Sequence, residues 1–303
     1  MAAFSVVVVT WESAGDLLRL VESMNRHLDG TQELVVVDNA SSDDPAGSAR
    51  AWKGEGRFIG LDHNAGFGTA ANAGTEASRH AAVVLLNPDS ELVDSSLGRL
   101  VGVALSKQAL AGPRLLNDDG SPQPSASGPP VGVWPWVGAL IPGTIQPRAV
   151  RARTEPWRLE TTTRVAWLTG ACVAAPREVL LQLGPFDPAI HLYGEDIDLG
   201  IRAARAGIES WFCPDVCRIA HRGGASAAAL VAEDREYQVV ANRRGVLARA
   251  FGTRRETAAW LAHRANLTLR LLAKRAMGRD AEREAATLRA ARRARTARAL
   301  DPP

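Results

Sequence analysis

The 303-residue chain has only three cysteines, Cys172, Cys213 and Cys217. So few thiols cannot build a disulfide framework, and they point to a reducing compartment. Cys213 and Cys217 have no second Cys or His pair at ligand spacing, which argues against a structural zinc. No apolar run approaches the ~20 residues of a membrane-spanning helix. The opening stretch MAAFSVVVVTWES has no basic residues ahead of its short apolar run, so it reads as a first strand and not a signal peptide. What is present, 46% hydrophobic and 23% charged residues, is ordinary for a soluble globular protein and enough for a sizeable core.

The net charge of +3 conceals a division. From Phe251 onward there are 13 Lys and Arg against five Asp and Glu, so the body is acidic and the tail basic.

The first 115 residues alternate strand and helix patterns. Phe4–Thr10, Glu33–Asp38, Arg57–Leu61 and Ala82–Asn87 read as strands. Ser13 is placed to cap a helix whose apolar positions are Leu17, Leu18, Leu20, Val21 and Met24, and Gly66–Ala77 reads as a small-residue helix. This alternation predicts a parallel sheet with helices on both faces. Ligands of such sheets bind outside the carboxyl ends of the strands, where Thr10, Asp38 and Asp89 fall. Residues 112–150 are rich in Pro and Gly and read as an excursion beside a site or as a plain surface loop, with regular structure resuming near Val165. From Leu230 to Leu300 the chain reads as mostly helical.

Several stretches carry chemistry. Asp38, at a strand end, can accept hydrogen bonds from a base or a ribose, or serve as a turn cap. In HNAGFGTAANAG (63–74), small residues permit close backbone approach to a ligand. The stretch lacks the G-x-G-x-x-G order and does not follow the first strand, which argues against a nicotinamide-dependent oxidoreductase. In Asn87-Pro88-Asp89 the acid suits a hard cation such as Mg²⁺ or Mn²⁺, although alone the sequence is also a common turn. In LYGEDIDLGIRAARAG (192–207), Asp198 and Arg202 are spaced to pair, leaving Glu195 and Asp196 as candidates for a general base. His221 closes a strand before two glycines, a place for a structural histidine or a ligand.

The order of these stretches carries more than any one of them. A first strand ending in Thr10, then VVVDNASSD, NAGFGTAANAG, LLNPDSEL, LTGACVAAPREVLLQLGPFD, YGEDIDLGIRAARAG and HRGGAS resemble the family 2 glycosyltransferases of GT-A fold, and bacterial rhamnosyltransferases among them. The resemblance covers about residues 4–226 and leaves the basic tail outside. It implies a mostly parallel mixed sheet flanked by helices over 1–226, with 227–303 as a helical extension. It further implies inverting transfer from a dTDP- or UDP-sugar, most simply dTDP-rhamnose, to a lipid-linked glycan.

On the resemblance, the donor would be met by Thr10, Glu12, Asp38, Asn64, Gly66, Gly68, Asn72, Asn87, Gly170 and Ala171. Asp89 and His221 would hold Mg²⁺ or Mn²⁺. Asp196, with Glu195 beside it, would be the base. The family's Thr-Tyr-Asn strand end is Thr10-Trp11-Glu12 here, and Asn87 stands where a first metal acid is common. The basic helical tail would rest on an anionic membrane surface, placing the protein peripherally on the inner face of the cell membrane. Packing of its leucines on the body is the alternative. No nucleic-acid recognition motif accompanies the arginines. A catalytically silent nucleotide-sugar-binding scaffold is the competing functional class.

Overall fold

The computed structural model describes residues 3–184, 186–223 and 232–294. The expected boundary at 226–227 lies outside the described residues, as does the end of the HRGGAS stretch. Apolar β-branched runs with no polar alternation need cover on both faces, and three of them form the centre of the main sheet. Strands β1 (Ser5–Thr10) and β2 (Glu33–Asp38) are buried at every position. They are separated by helix α1 (Ala14–His27). Ser13 precedes α1 but does not cap it with its side chain. Instead Asp43 accepts the Ala14 N–H at 2.6 Å.

The short α2 (Pro45–Ala49), capped by Asp44, leads to β3 (Gly56–Gly60), whose alternating exposure marks a sheet edge. Helix α3 (Phe67–Ala77) returns the chain to the buried β4 (Ala82–Leu86). Then come β5 (Ser90–Leu92), α4 (Leu97–Lys107), β6 (Leu110–Gly112), β7 (Arg114–Leu116) and β8 (Ala126–Ser127).

The 112–150 excursion is more ordered than its composition predicts. It contains α5 (Trp134–Leu140), and α6 (Arg148–Thr154) follows, with regular structure already present well before Val165. Two of the eight prolines in this stretch stand where helices tolerate them. Pro135 lies in the first turn of α5 and Pro147 is the N-cap of α6. Onward run β9 (Thr163–Val165), β10 (Trp167–Leu168), β11 (Cys172–Pro176), α7 (Arg177–Gln182), α8 (Glu195–Arg205), β12 (Ser210–Phe212) and β13 (Arg218–His221). Three helices end the described chain: α9 (Ala232–Phe251), α10 (Thr253–Ala276) and α11 (Glu282–Arg293).

The main sheet has the order β3-β2-β1-β4-β11-β6-β12-β9. Strands β3, β2, β1 and β4 are parallel, while β11 is antiparallel to both β4 and β6. Connections run outward from β1 to β3 and then cross back to β4, so the sequence order reverses between β1 and β4. Crevices form at such reversals. One face of the sheet packs Val6, Val8 and Val36 against α1 and α4, and the other packs Val7, Val37 and Val83 against α3 and α8. Full burial of each such side chain contributes about 1.5–3 kcal/mol. A second sheet, β5-β13-β7, places His221 opposite Ser90. This register sets His221 beside the Asn87–Asp89 turn.

All three cysteines are free and buried, and burial pushes the Cys213 and Cys217 thiols up to about 11 and about 12. Among the described residues no helix is long and apolar enough to cross a membrane. On α10, Trp260, Leu267 and Leu271 are buried, while Leu261, Leu269 and Leu272 face outward.

Candidate active site

At the β1–β2 rim the expected nucleoside residues form a web of their own. Thr10 is fully buried and donates its hydroxyl to Asp38 Oδ1 at 3.0 Å. The Asp38 carboxylate also accepts the Ser41 N–H at 3.0 Å and the Ser41 hydroxyl at 2.5 Å. Glu12 is exposed, has a left-handed backbone (φ 49°), and accepts both the N–H and the hydroxyl of Ser42 at 2.8 Å. These bonds fix the shape of the rim and engage both oxygens of the buried Asp38.

The glycine-rich segment contacts the chain's own 186–191 stretch. A side chain at Gly66 would meet the His191 carbonyl at 2.5 Å, and one at Gly68 would meet Phe186 Cβ at 2.6 Å. Asn72 donates to the Phe186 carbonyl at 2.9 Å and accepts the Phe186 N–H at 2.7 Å. The Asn64 side chain accepts the Gly66 N–H at 3.0 Å, an Asx turn leading into α3. Helix α3 therefore holds the stretch that leads into the acid pair. Gly68→Ala is expected to cost about 1–3 kcal/mol through overpacking against Phe186. The measurement is the melting temperature, and an unchanged value would show that the close contact does not constrain the stretch.

The acid pair opens α8. Two consecutive left-handed residues, Tyr193 (φ 65°) and Gly194 (φ 107°), turn the chain sharply just before Glu195. Only glycine adopts the second conformation without strain. Asp196 accepts the N–H of Ile197 at 2.7 Å and that of Gly170. One Glu195 oxygen is sealed from water with no hydrogen-bond partner. Burial pushes both carboxyl groups above the usual carboxylate range, Glu195 further because the Asp196 charge adds to the effect. Asp198 pairs with Arg202 at 2.6 Å, as their spacing predicts, which leaves Glu195 and Asp196 to the crevice.

A short covalent and hydrogen-bonded path connects this pair to Asp89. Gly170 contacts Asp196, and the carbonyl of Ala171, next in sequence, accepts the Asn87 N–H at 2.9 Å. Two residues on, Asp89 is nearly buried, with Oδ1 at 3.3 Å from His221 Nε2. Gln123 orients the histidine. Its Nε2 donates to the His221 carbonyl, which leaves Oε1 to accept from His221 Nδ1 at 2.9 Å. With the ring proton on Nδ1, the Nε2 lone pair faces the Asp89 carboxylate. This is an arrangement that a cation completes.

A family model described as "Glycosyltransferase like family 2" matches residues 2–271. The chain belongs to this family. The match continues past residue 226, where the sequence motifs end, into α10. The N-acetylglucosaminyl-diphospho-decaprenol L-rhamnosyltransferase of Mycobacterium tuberculosis is 29% identical over 238 residues, covering 72% of this chain and 75% of that protein. Mannosyltransferase PcManGT from Pyrobaculum calidifontis, solved with GDP-Man and Mn²⁺, superposes with a TM-score of 0.60 at 16% identity, over 95% of this chain and 85% of that one. GalNAc-T7, solved with UDP, GalNAc and Mn²⁺, gives 0.56 at 18% identity. There the match covers 79% of this chain and only 48% of the other. The superpositions carry the GT-A fold, with its mostly parallel mixed sheet flanked by helices, and the C-terminal helices accompany it.

Within this glycosyltransferase two contributors to the crevice escape sequence reasoning. Gln123 sits in the Pro-rich excursion with no local signal of its own. Arg243 on α9, partly buried, lies close enough to Asp196 for each charge to stabilise the other. Nothing in ANRRGV separates it from Arg244, which pairs with Glu256 instead.

Proposed function

We propose that the chain is an inverting, metal-dependent transferase that moves L-rhamnose from dTDP-rhamnose to a hydroxyl of a polyprenyl-diphosphate-linked glycan. The observation that carries this reading is the linkage of a buried, ionisable acid pair to the Asp89–His221 pair across Gly170, Ala171 and Asn87. The Mycobacterium tuberculosis relative, named for rhamnosyl transfer onto a diphospho-decaprenol, supports the donor sugar and acceptor class.

Asp38 would accept hydrogen bonds from the nucleoside at the rim. Asn87, Gly170 and Ala171 would flank the donor sugar. Asp89 and His221 would hold Mg²⁺ or Mn²⁺. Among the described residues no third His, Cys, Asp or Glu joins them. The remaining oxygens would come from the diphosphate and water, as hard cations often take them. When bound, the cation supplies positive charge against the leaving diphosphate. Asp196 takes the proton from the acceptor hydroxyl as that oxygen attacks the anomeric carbon. The bond to the diphosphate breaks on the opposite face, its electrons leave with the nucleotide, and the centre inverts. Glu195, held protonated by burial, keeps a second negative charge from the base. The outward leucines and arginines of α10 would rest on an anionic membrane surface.

Thermal shift with dTDP, UDP, GDP and NAD, each with and without Mn²⁺ or Mg²⁺, tests the donor reading. Saturation at 100 times the dissociation constant raises stability by about 2.7 kcal/mol. A metal-dependent shift with dTDP is the expected result. A shift with NAD alone, indifferent to metal, would overturn the proposal.

A further inference from the structure

A cavity of about 310 Å³ lies among α9, α10 and α11, and Pro124 closes one side of it. Pro124 adjoins Gln123, which holds His221, so this chain segment separates the cavity from the Asp89–His221 pair. The acids of the lining are already engaged. Glu256 pairs with Arg244, Glu284 with Arg270 and Lys274, and Glu236 accepts the Thr287 hydroxyl at 2.9 Å. Arg243 is different. Among the described residues it makes no ion pair and no hydrogen bond, although it is partly buried. Asp196 attracts it without forming an ion pair. Beside it, burial and the charges of Arg243 and Arg270 push His263 down to about 4, so its ring is neutral and keeps one N–H to donate. Val239, Val240 and Leu247, on the same helix as Arg243, and Ala259 on α10 give the cavity apolar lining around the guanidinium.

A partly buried guanidinium with no hydrogen-bonded partner has its donors open to an anion, and its planar fork matches phosphate oxygens. Apolar side chains flanking such a fork suit a ligand with an anionic head and a hydrocarbon tail. We infer that this cavity receives the acceptor's phosphate head, with Arg243 and His263 on the phosphate oxygens and the first carbons of the lipid along Val239, Val240 and Leu247. The inference rests on the proposed transferase reading and gives its acceptor a place. A head group at Arg243 sets the attached sugar next to Asp196. It also weakens the positive field on Asp196 once the acceptor is seated.

The test uses the full chain and farnesyl diphosphate, with inorganic diphosphate and phosphatidylglycerol vesicles as separate arms, and Trp260 in the lining as a fluorescent reporter. Saturable binding of farnesyl diphosphate, tighter than that of inorganic diphosphate, is expected. Arg243→Gln should weaken it by about 10- to 100-fold, the scale of a charged hydrogen bond. The metal-dependent shift with dTDP and the binding of vesicles should stay unchanged. Arg243→Lys keeps the charge without the fork and should also weaken binding, which preserves the test if the Gln variant folds poorly. Equal binding by wild type and both variants, or no binding by wild type, would overturn the inference. Equal loss of vesicle and prenyl binding would overturn it in favour of a membrane phospholipid. Absence of the dTDP shift in wild type, with prenyl binding intact, would instead count against the donor reading alone.

Discussion

Asp196→Asn is expected to lower kcat by about 10²- to 10⁴-fold, the range general-base removal usually spans, while leaving donor binding intact. An asparagine oxygen can still accept the N–H groups of Ile197 and Gly170, so the turn keeps its shape. What disappears is the capacity to hold the acceptor's proton. The pH profile offers a second check. The base must be ionised, and burial raises its carboxyl, so wild-type kcat/KM should fall with decreasing pH before an ordinary carboxylate would titrate. Stability runs the other way. A carboxyl whose pKa is higher folded than unfolded binds more protons in the folded state, so its contribution to stability declines as pH rises through that window. Asp196→Asn should therefore melt no lower than wild type at neutral pH, separating lost chemistry from lost fold. Full turnover in this variant would remove Asp196 as the base.

Asp89→Ala should abolish the metal-dependent part of donor binding. A drop of at least about 100-fold in affinity for dTDP with Mn²⁺ is expected, since even outer-shell partners of metal ligands cost about 10- to 100-fold. The reason lies in the small number of protein ligands. With only Asp89 and His221 converging among the described residues, loss of the carboxylate leaves one imidazole nitrogen and no anionic anchor. Asp89→Asn, close in shape but uncharged, should fall nearly as far, identifying charge and not packing as the cause. Isothermal titration with and without Mn²⁺ reads both variants. Undiminished metal-dependent binding in either would detach Asp89 from the cation.

Much of the scaffold is legible in the sequence because its signals are local. Unbroken Val runs mark the buried strands, and the Asp198–Arg202 spacing marks a helical pair. The glycines and Asn72 show where legibility stops. A sequence can say that backbone comes close at Gly66 and Gly68. It cannot say whether the approaching group is a ligand or Phe186, more than 110 residues away in the chain. Gln123 and Arg243 were illegible for the same reason. Their partners are set by tertiary placement, through a strand register in one case and helix packing in the other. Pro135 and Pro147 mislead in the opposite direction, suggesting irregularity where they stand at helix starts.

The placement of β11 has a consequence for the order in which the molecule can be made. Strands β1 to β4 are joined by consecutive helical crossovers and can assemble as the first 86 residues emerge during synthesis. The far edge of β4 cannot be covered so early. Its partner is β11, with Leu86 opposite Cys172 and Ala82 opposite Pro176. Until that stretch has been synthesised, Ala-Val-Val-Leu-Leu presents an open, uncharged edge of the kind that pairs with other chains. Closure of the sheet is thus a late, long-range event. Chains truncated between β4 and β11 are the ones that should aggregate.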